Sequence, residues 1–182
     1  MSTGSIPFLM LEYLYESKPD RQIHIVGPRN LETRCWRMMK LAYPNFDTEA
    51  IRPWLHFIEI EPHDEIRLGG VTLSAIRSPH MLRDTSLSLK LKLAGKTIVY
   101  SGDSGWNEEL VQFADGADLF ICECTYYESA HLTFHMNYPQ LAANRDRFKV
   151  KRMVLTHLGR EVLNHRQKIK MELASDGMKI HL

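Results

Sequence analysis

Long apolar runs are missing from this chain. No stretch approaches the roughly 18–20 apolar residues that a membrane helix needs. A secretory leader is not expected either: the start lacks a basic n-region, and Pro7, Glu12 and Glu16 interrupt its apolar residues. Charge of one sign is missing as well. Lys and Arg number 23 against 22 Asp and Glu, a formal net charge of +1, which gives no electrostatic case for nucleic acid or membrane as a bulk partner. The local basic clusters, Lys149-Lys151-Arg152 and Arg166-Lys168-Lys170, read as solvated faces. Cysteine is scarce: Cys35, Cys122 and Cys124 are an odd set without framework spacing, which points to a reducing, cytoplasmic setting. Cys122 and Cys124 share one face of a strand and are not a C-x-x-C pair, so they read as buried structural residues. The phosphate loop G-x-x-x-x-G-K-[ST] and the nucleophile elbow G-x-S-x-G are both absent, which argues against a P-loop nucleotide hydrolase and a serine hydrolase. No repeat, low-complexity tract or linker divides the chain, so a single domain over residues 1–182 is expected.

What remains is an ordinary globular composition, 44% hydrophobic and 25% charged, with enough chain for a sizeable core. Ile6–Glu16 reads as a helix with Ser5 at its N-cap and Pro7 in its first turn. Ile23–Val26 reads as a short strand, and Asn30 as the cap of a helix that Pro44 stops. Leu55–Ile60 follows as a strand. Asp64–Arg67 and Val71–Ile76 form a hairpin around Gly69-Gly70, and Ser86–Leu93 and Thr97–Tyr100 a second around Ala94-Gly95-Lys96. Leu87, Leu89, Leu91 and Leu93 alternate on one face. Trp106–Phe113 reads as a helix, 118–124 as a buried strand, Tyr138–Arg147 as a helix and Arg152–Leu155 as a strand. Glu161–Ala174 reads as a helix and Met178–Leu182 as a last strand. Hairpins first and alternating strands and helices later predict a layered α/β fold with a mixed sheet and flanking helices.

Three segments carry the chemistry: Ser78-Pro79-His80, Ser101-Gly102-Asp103-Ser104 and Leu155-Thr156-His157-Leu158-Gly159. Each puts a metal-capable side chain just after a strand. An imidazole, a carboxylate and a second imidazole at successive strand ends can converge on one edge of a sheet. That donor set suits zinc, manganese or iron. Gly102 and Gly105 give the Asp103 segment room for tight backbone geometry. Glu123, an acid inside an apolar run, needs a partner if buried. It reads either as an acceptor for a ligand histidine or as an ion-paired or solvated strand-end residue. Thr85 and Ser86 are explained by turn chemistry. His24, His56, His63, His165 and His181 have no motif context and read as surface or packing residues.

The order His80, Gly102-Asp103, Asp118-Leu119-Phe120-Ile121-Cys122-Glu123 and Leu155-Thr156-His157 resembles the metallo-β-lactamase superfamily, in particular its ribonuclease Z-like and phosphodiesterase-like branch. The resemblance runs from Ile6 to Leu182. It implies the αββα fold of that family and a metal-dependent hydrolase. His80 would bind one metal, Asp103 would bridge two, and His157 would bind the second, with zinc, manganese or iron as cofactor. Related phosphodiesterases carry a histidine ahead of a helix that acts on the scissile phosphate or leaving group. His135, and as a lesser candidate His131, is similar in position. His135 and Asp103 are therefore the candidate catalytic residues.

One departure stands out. The family's H-x-H-x-D-H string, which supplies four of the usual ligands, does not occur in this sequence. The opening residues, Met1 to Met10, resemble the turn and helix that normally follow it. The expectation is an N-terminally truncated form of the fold, missing its first strands and first metal motif. The resemblance implies hydrolysis of a small-molecule or nucleic-acid phosphodiester, with a thioester or lactam as lesser substrates. The competing reading is an inactive relative that keeps the fold for binding or assembly. Exposed apolar surface left by missing strands would favour a homo-oligomer. An unrelated doubly wound binding module is disfavoured by the hairpins ahead of Asp103.

Overall fold

The computed structural model describes residues 5–17, 20–80, 86–128 and 133–182. The chain divides into two units, Met1–Ile60 and Glu61–Leu182. Thr85, His131 and the opening Met1-Ser2-Thr3-Gly4 lie outside the described residues.

In the first unit, α1 (Ile6–Leu11) continues into a π-helical turn, Glu12–Glu16, so the two together span the predicted helix. Ser5 sits at the N-cap without a side-chain hydrogen bond. Then follow β1 (Ile23–Gly27), α2 (Leu31–Ala42), α3 (Thr48–Ile51) and β2 (Leu55–Glu59). β1 and β2 pair in parallel from Ile23↔Leu55 to Gly27↔Glu59. Met10, Leu31, Cys35, Met39, Ile51 and Leu55 form the unit's core. Asn30 precedes α2 as expected but does not cap it with its side chain. It takes a left-handed φ of 64°, and its backbone N–H donates to the Glu59 carboxylate at 2.7 Å.

In the second unit, two-residue turns build the antiparallel half of the sheet. β3 (Glu65–Leu68) and β4 (Val71–Arg77) join through Gly69-Gly70. β5 (Leu87–Leu93) and β6 (Lys96–Tyr100) join through Ala94 and Gly95, whose φ values of 50° and 75° are those of a mirror-type hairpin turn. The leucine alternation on β5 is present. The strand's one buried residue, however, is Ser88 on the opposite face, at 0% exposure, while Leu93 is 50% exposed.

From β6 onward the strands run parallel, as crossover helices require. α4 (Glu108–Phe113) leads to β7 (Leu119–Glu123), α5 (Tyr138–Ala143) to β8 (Met153–Thr156), and α6 (Arg160–Asn164) to β9 (Glu172–Leu173). The seven strands lie in sequence order, β3 to β9. Phe120, Cys122, Leu141, Phe148, Leu155 and Val162 are among the residues of this core.

Three expectations change at element ends. α4 begins at Glu108 because Asn107 accepts from Glu109 N at 2.9 Å, which leaves Trp106 outside. The helix expected over Glu161–Ala174 is only α6 followed by a 3-10 turn, Arg166–Lys168. Its later residues extend as β9 beside β8, held by a two-bonded Arg152–Glu172 ion pair at 2.9 and 2.6 Å. Met178–Leu182 forms no strand.

β4 and β6 are each antiparallel to β5, so they run in the same direction. β7 and β8 share that direction. With β9, which parallels β8, five strands therefore end on one edge; the residues that follow β4, β6, β7 and β8 are Ser78-Pro79-His80, Ser101-Gly102-Asp103, Cys124-Thr125 and His157.

Candidate active site

The edge is assembled from backbone outward. Ser78 and Ser88 hydroxyls stand 2.8 Å apart, and both lie within hydrogen-bond reach of Ser101 O, at 3.0 and 2.6 Å. These buried serines tie the His80 and Asp103 segments together. Gly105 N donates to Pro79 O at 2.8 Å. A Cβ on Gly105 would lie 2.0 Å from Thr133 O, and one on Gly159 would lie 2.1 Å from Thr125 O. Only glycine allows these loops to close so tightly. Gly102, expected to serve tight backbone geometry, has a φ of +62°.

Glu123, the last residue of β7, is 1% exposed. Its Oε1 accepts from Ser104 N at 2.8 Å and from His135 Nδ1 at 2.7 Å. Its Oε2 accepts from Thr125 N at 3.2 Å, Thr125 Oγ1 at 3.0 Å and Met136 N at 3.2 Å. Its burial rules out a solvated strand-end residue, and its histidine partner is His135, a catalytic candidate and not one of the expected ligands. Thr125, which sequence patterns did not single out, also lies 3.2 Å from His135 Nδ1 and 3.4 Å from His157 O through its hydroxyl.

A carboxylate accepts, so His135 carries its proton on Nδ1 and turns Nε2 away from Glu123. Its ring meets His80 at 4.9 Å and His157 at 5.3 Å between centroids, with the Tyr126 ring at 6.2 Å. His80 Nδ1 lies 3.3 Å from Phe134 O, which leaves its other nitrogen unengaged by that contact. His157 Nδ1 is 3.7 Å from Asp103 Oδ1, and both side chains are a little under half exposed. His157 has a φ of 54°, a conformation that a side chain with a Cβ rarely takes. The four residues singled out from sequence, His80, Asp103, His135 and His157, thus lie in one cluster of pairwise contacts.

Buried charge affects its neighbours. Burial, reinforced by Glu123, pushes the Cys124 thiol up to about 12 and Cys122 well above the usual range. Both thiols remain protonated at neutral pH and belong to the core, as expected. Tyr100 is raised by burial, then by Asp103 and Glu123.

The donor chemistry suits a divalent ion: imidazoles with one nitrogen held and an open carboxylate. The Asp103–His157 separation is compatible with two ligands sharing an ion. Even so, among the described residues no three His, Cys, Asp or Glu side chains converge closely enough to hold one. The described donors therefore do not fit a closed metal centre.

A large mixed sheet with flanking helices, bearing imidazoles and carboxylates where its strands end, has the layout of a metal-dependent α/β hydrolase. The chain belongs to the metallo-β-lactamase superfamily: residues 11–158 match the family described as Beta-lactamase superfamily domain. That membership implies a divalent metal. Probable metallo-hydrolase YhfI of Bacillus subtilis is 26% identical over 103 residues, covering 56% of this chain and 41% of YhfI. The crystal structure of YhfI aligns with a TM-score of 0.68 at 20% identity, over 97% of this chain and 70% of that one. Ribonuclease Z of Pyrococcus furiosus is 32% identical over 96 residues, 48% of this chain and 27% of its own length. Zn(2+)-bound PqqB of Methylobacterium extorquens shares the fold, with a TM-score of 0.72 at 14% identity over 97% and 68% of the two chains. In sequence, this chain spans less than half the length of YhfI and of ribonuclease Z.

Two outcomes are expected. Glu123→Gln keeps the side-chain shape but turns an NH2 group toward N–H and O–H donors. It should destabilise the fold by about 2–4 kcal/mol, read as a lower urea midpoint, while the exposed Glu49→Gln stays within about 0.5 kcal/mol. Equal, small effects would refute a central role for Glu123. His157→Gly should raise stability by about 1 kcal/mol by releasing the left-handed strain, even though it removes an imidazole from the cluster. A loss of stability on urea unfolding would mean that His157 is not strained.

Proposed function

We propose that the strand-edge cluster hydrolyses a phosphodiester, of a small molecule or a nucleic acid, and that the protein works in the cytoplasm. The observation that carries this reading is His135, held at Nδ1 by buried Glu123 and in ring contact with His80 and His157. With Nδ1–H fixed on the carboxylate, Nε2 is the atom that exchanges protons with substrate or water. The neutral ring takes a proton from the attacking water at Nε2, and the protonated ring delivers it to the leaving oxygen. Likeness to a ribonuclease Z supports the phosphodiester class. Zinc, manganese or iron is the proposed cofactor, with His80, Asp103 and His157 as the donors this chain contributes. Asp103 is the candidate catalytic carboxylate.

The test is hydrolysis of bis(p-nitrophenyl) phosphate with added Zn2+ or Mn2+. His135→Ala should lower kcat by about 10²–10⁴, read well below its unfolding transition, since it also removes one donor to buried Glu123. Rates for the unmodified chain that never exceed metal in buffer would overturn the reading.

The second reading is a member that keeps the fold for binding or assembly. It is favoured by the donors that do not converge among the described residues. Exposed Phe8 at 65% and Leu41 at 85% support self-association under either reading. A homo-oligomer is expected by light scattering, and a clean monomer at micromolar concentration would count against it.

A further inference from the structure

We infer a second cation site, built by His24 and His56 on the two-stranded sheet of the Met1–Ile60 unit. The sequence gives these histidines no motif, and the fold brings them together. They are direct partners in the parallel register of β1 and β2. Ile23, Ile25, Leu55 and Phe57 pack into or against the unit's core. Alternation along a strand therefore turns His24 and His56 to the opposite face. Both are exposed there. Their ring centroids are 5.3 Å apart, with planes at 81°.

That separation is compatible with a shared ion. Metal–nitrogen bonds of about 2.0–2.1 Å meeting at roughly 90–110° leave the centroids of two coordinating imidazoles roughly 4.5–5.3 Å apart. A neighbouring strand spacing of about 4.7–4.9 Å supplies the distance without distortion. Two neutral imidazoles select a borderline divalent cation over magnesium or calcium, and Cu2+ heads the affinity order. Half of a four-coordinate shell stays open, so binding is reversible. The open positions accept water or a donor atom from another molecule. Neither histidine belongs to the cluster around Glu123, so this site stands whether or not that cluster is catalytic.

The test uses the whole chain and Cu2+ alone, in a buffer that does not chelate metals. In an NMR titration, the ring resonances of His24 and His56 should broaden together, at one and the same Cu2+ concentration. His24→Ala and His56→Ala should each weaken the joint site about tenfold or more by calorimetry. The losses of the two single variants should not add in the double variant, because either one already breaks the chelate and only single-histidine binding is left to lose. Both positions are exposed, so melting temperatures should stay near that of the unmodified chain. Broadening of one ring only, broadening of neither, or a His24→Ala variant whose His56 still broadens at the same Cu2+ concentration would overturn the proposal.

Discussion

A buried carboxylate is tolerated only when its surroundings replace the water it lost, and Glu123 meets that condition in full. Its two oxygens are met by backbone N–H groups of Ser104, Thr125 and Met136, the Thr125 hydroxyl and the His135 ring. Those donors come from two connections, the one after β6 and both ends of the one after β7. Charge-assisted hydrogen bonds of this kind contribute about 1.5–3 kcal/mol each when made and penalise every alternative placement of the loops. The acid at the end of β7 therefore acts as a geometric reference. Asp103 precedes one donor residue, and His135 is itself a donor and precedes another. The Thr125 hydroxyl lies 3.4 Å from His157 O. Moving Glu123 would move the whole cluster.

The supports around that carboxylate divide the work by chemistry. The Ser78 and Ser88 hydroxyls are small enough to sit in a dry layer, where they satisfy each other and the Ser101 carbonyl. Gly105 and Gly159 let backbone approach backbone where any side chain would collide. The strained φ of His157 persists because the parallel strand beneath it and the loop beside it fix both its ends. Precision at the edge thus comes from hydrogen bonding and close approach, while the apolar core beneath supplies most of the stability.

Much of this was legible in the sequence because it rests on local rules. Gly69-Gly70 and Ala94-Gly95 mark hairpins, an apolar run marks β7, and the residues just beyond strand ends mark the site. The less legible parts depend on partners distant in the chain. Asn30 has the right chemistry for a helix cap, yet Glu59, which precedes it in space and follows it in sequence, claims its backbone instead. The residues after Asn164 have helical spacing, but pairing with β8 and the Arg152–Glu172 ion pair draw Glu172–Leu173 into the sheet. Glu123 was recognisable as unusual; which groups would satisfy it depended on loops 19 residues before it and 13 after. Thr125 gave no signal, since a lone threonine after a strand is ordinary.

The short β9 has a consequence of its own. A sheet is open to growth wherever its last strand presents a flat row of unpaired N–H and C=O groups to another chain. Here one border strand, β9, is only two residues long. The other, β3, has four residues, two of them the charged Glu65 and Arg67. Neither border is long and apolar enough to template a strand from a neighbouring molecule. The sheet that carries the cluster is protected against edge-to-edge aggregation by brevity on one side and by charge on the other.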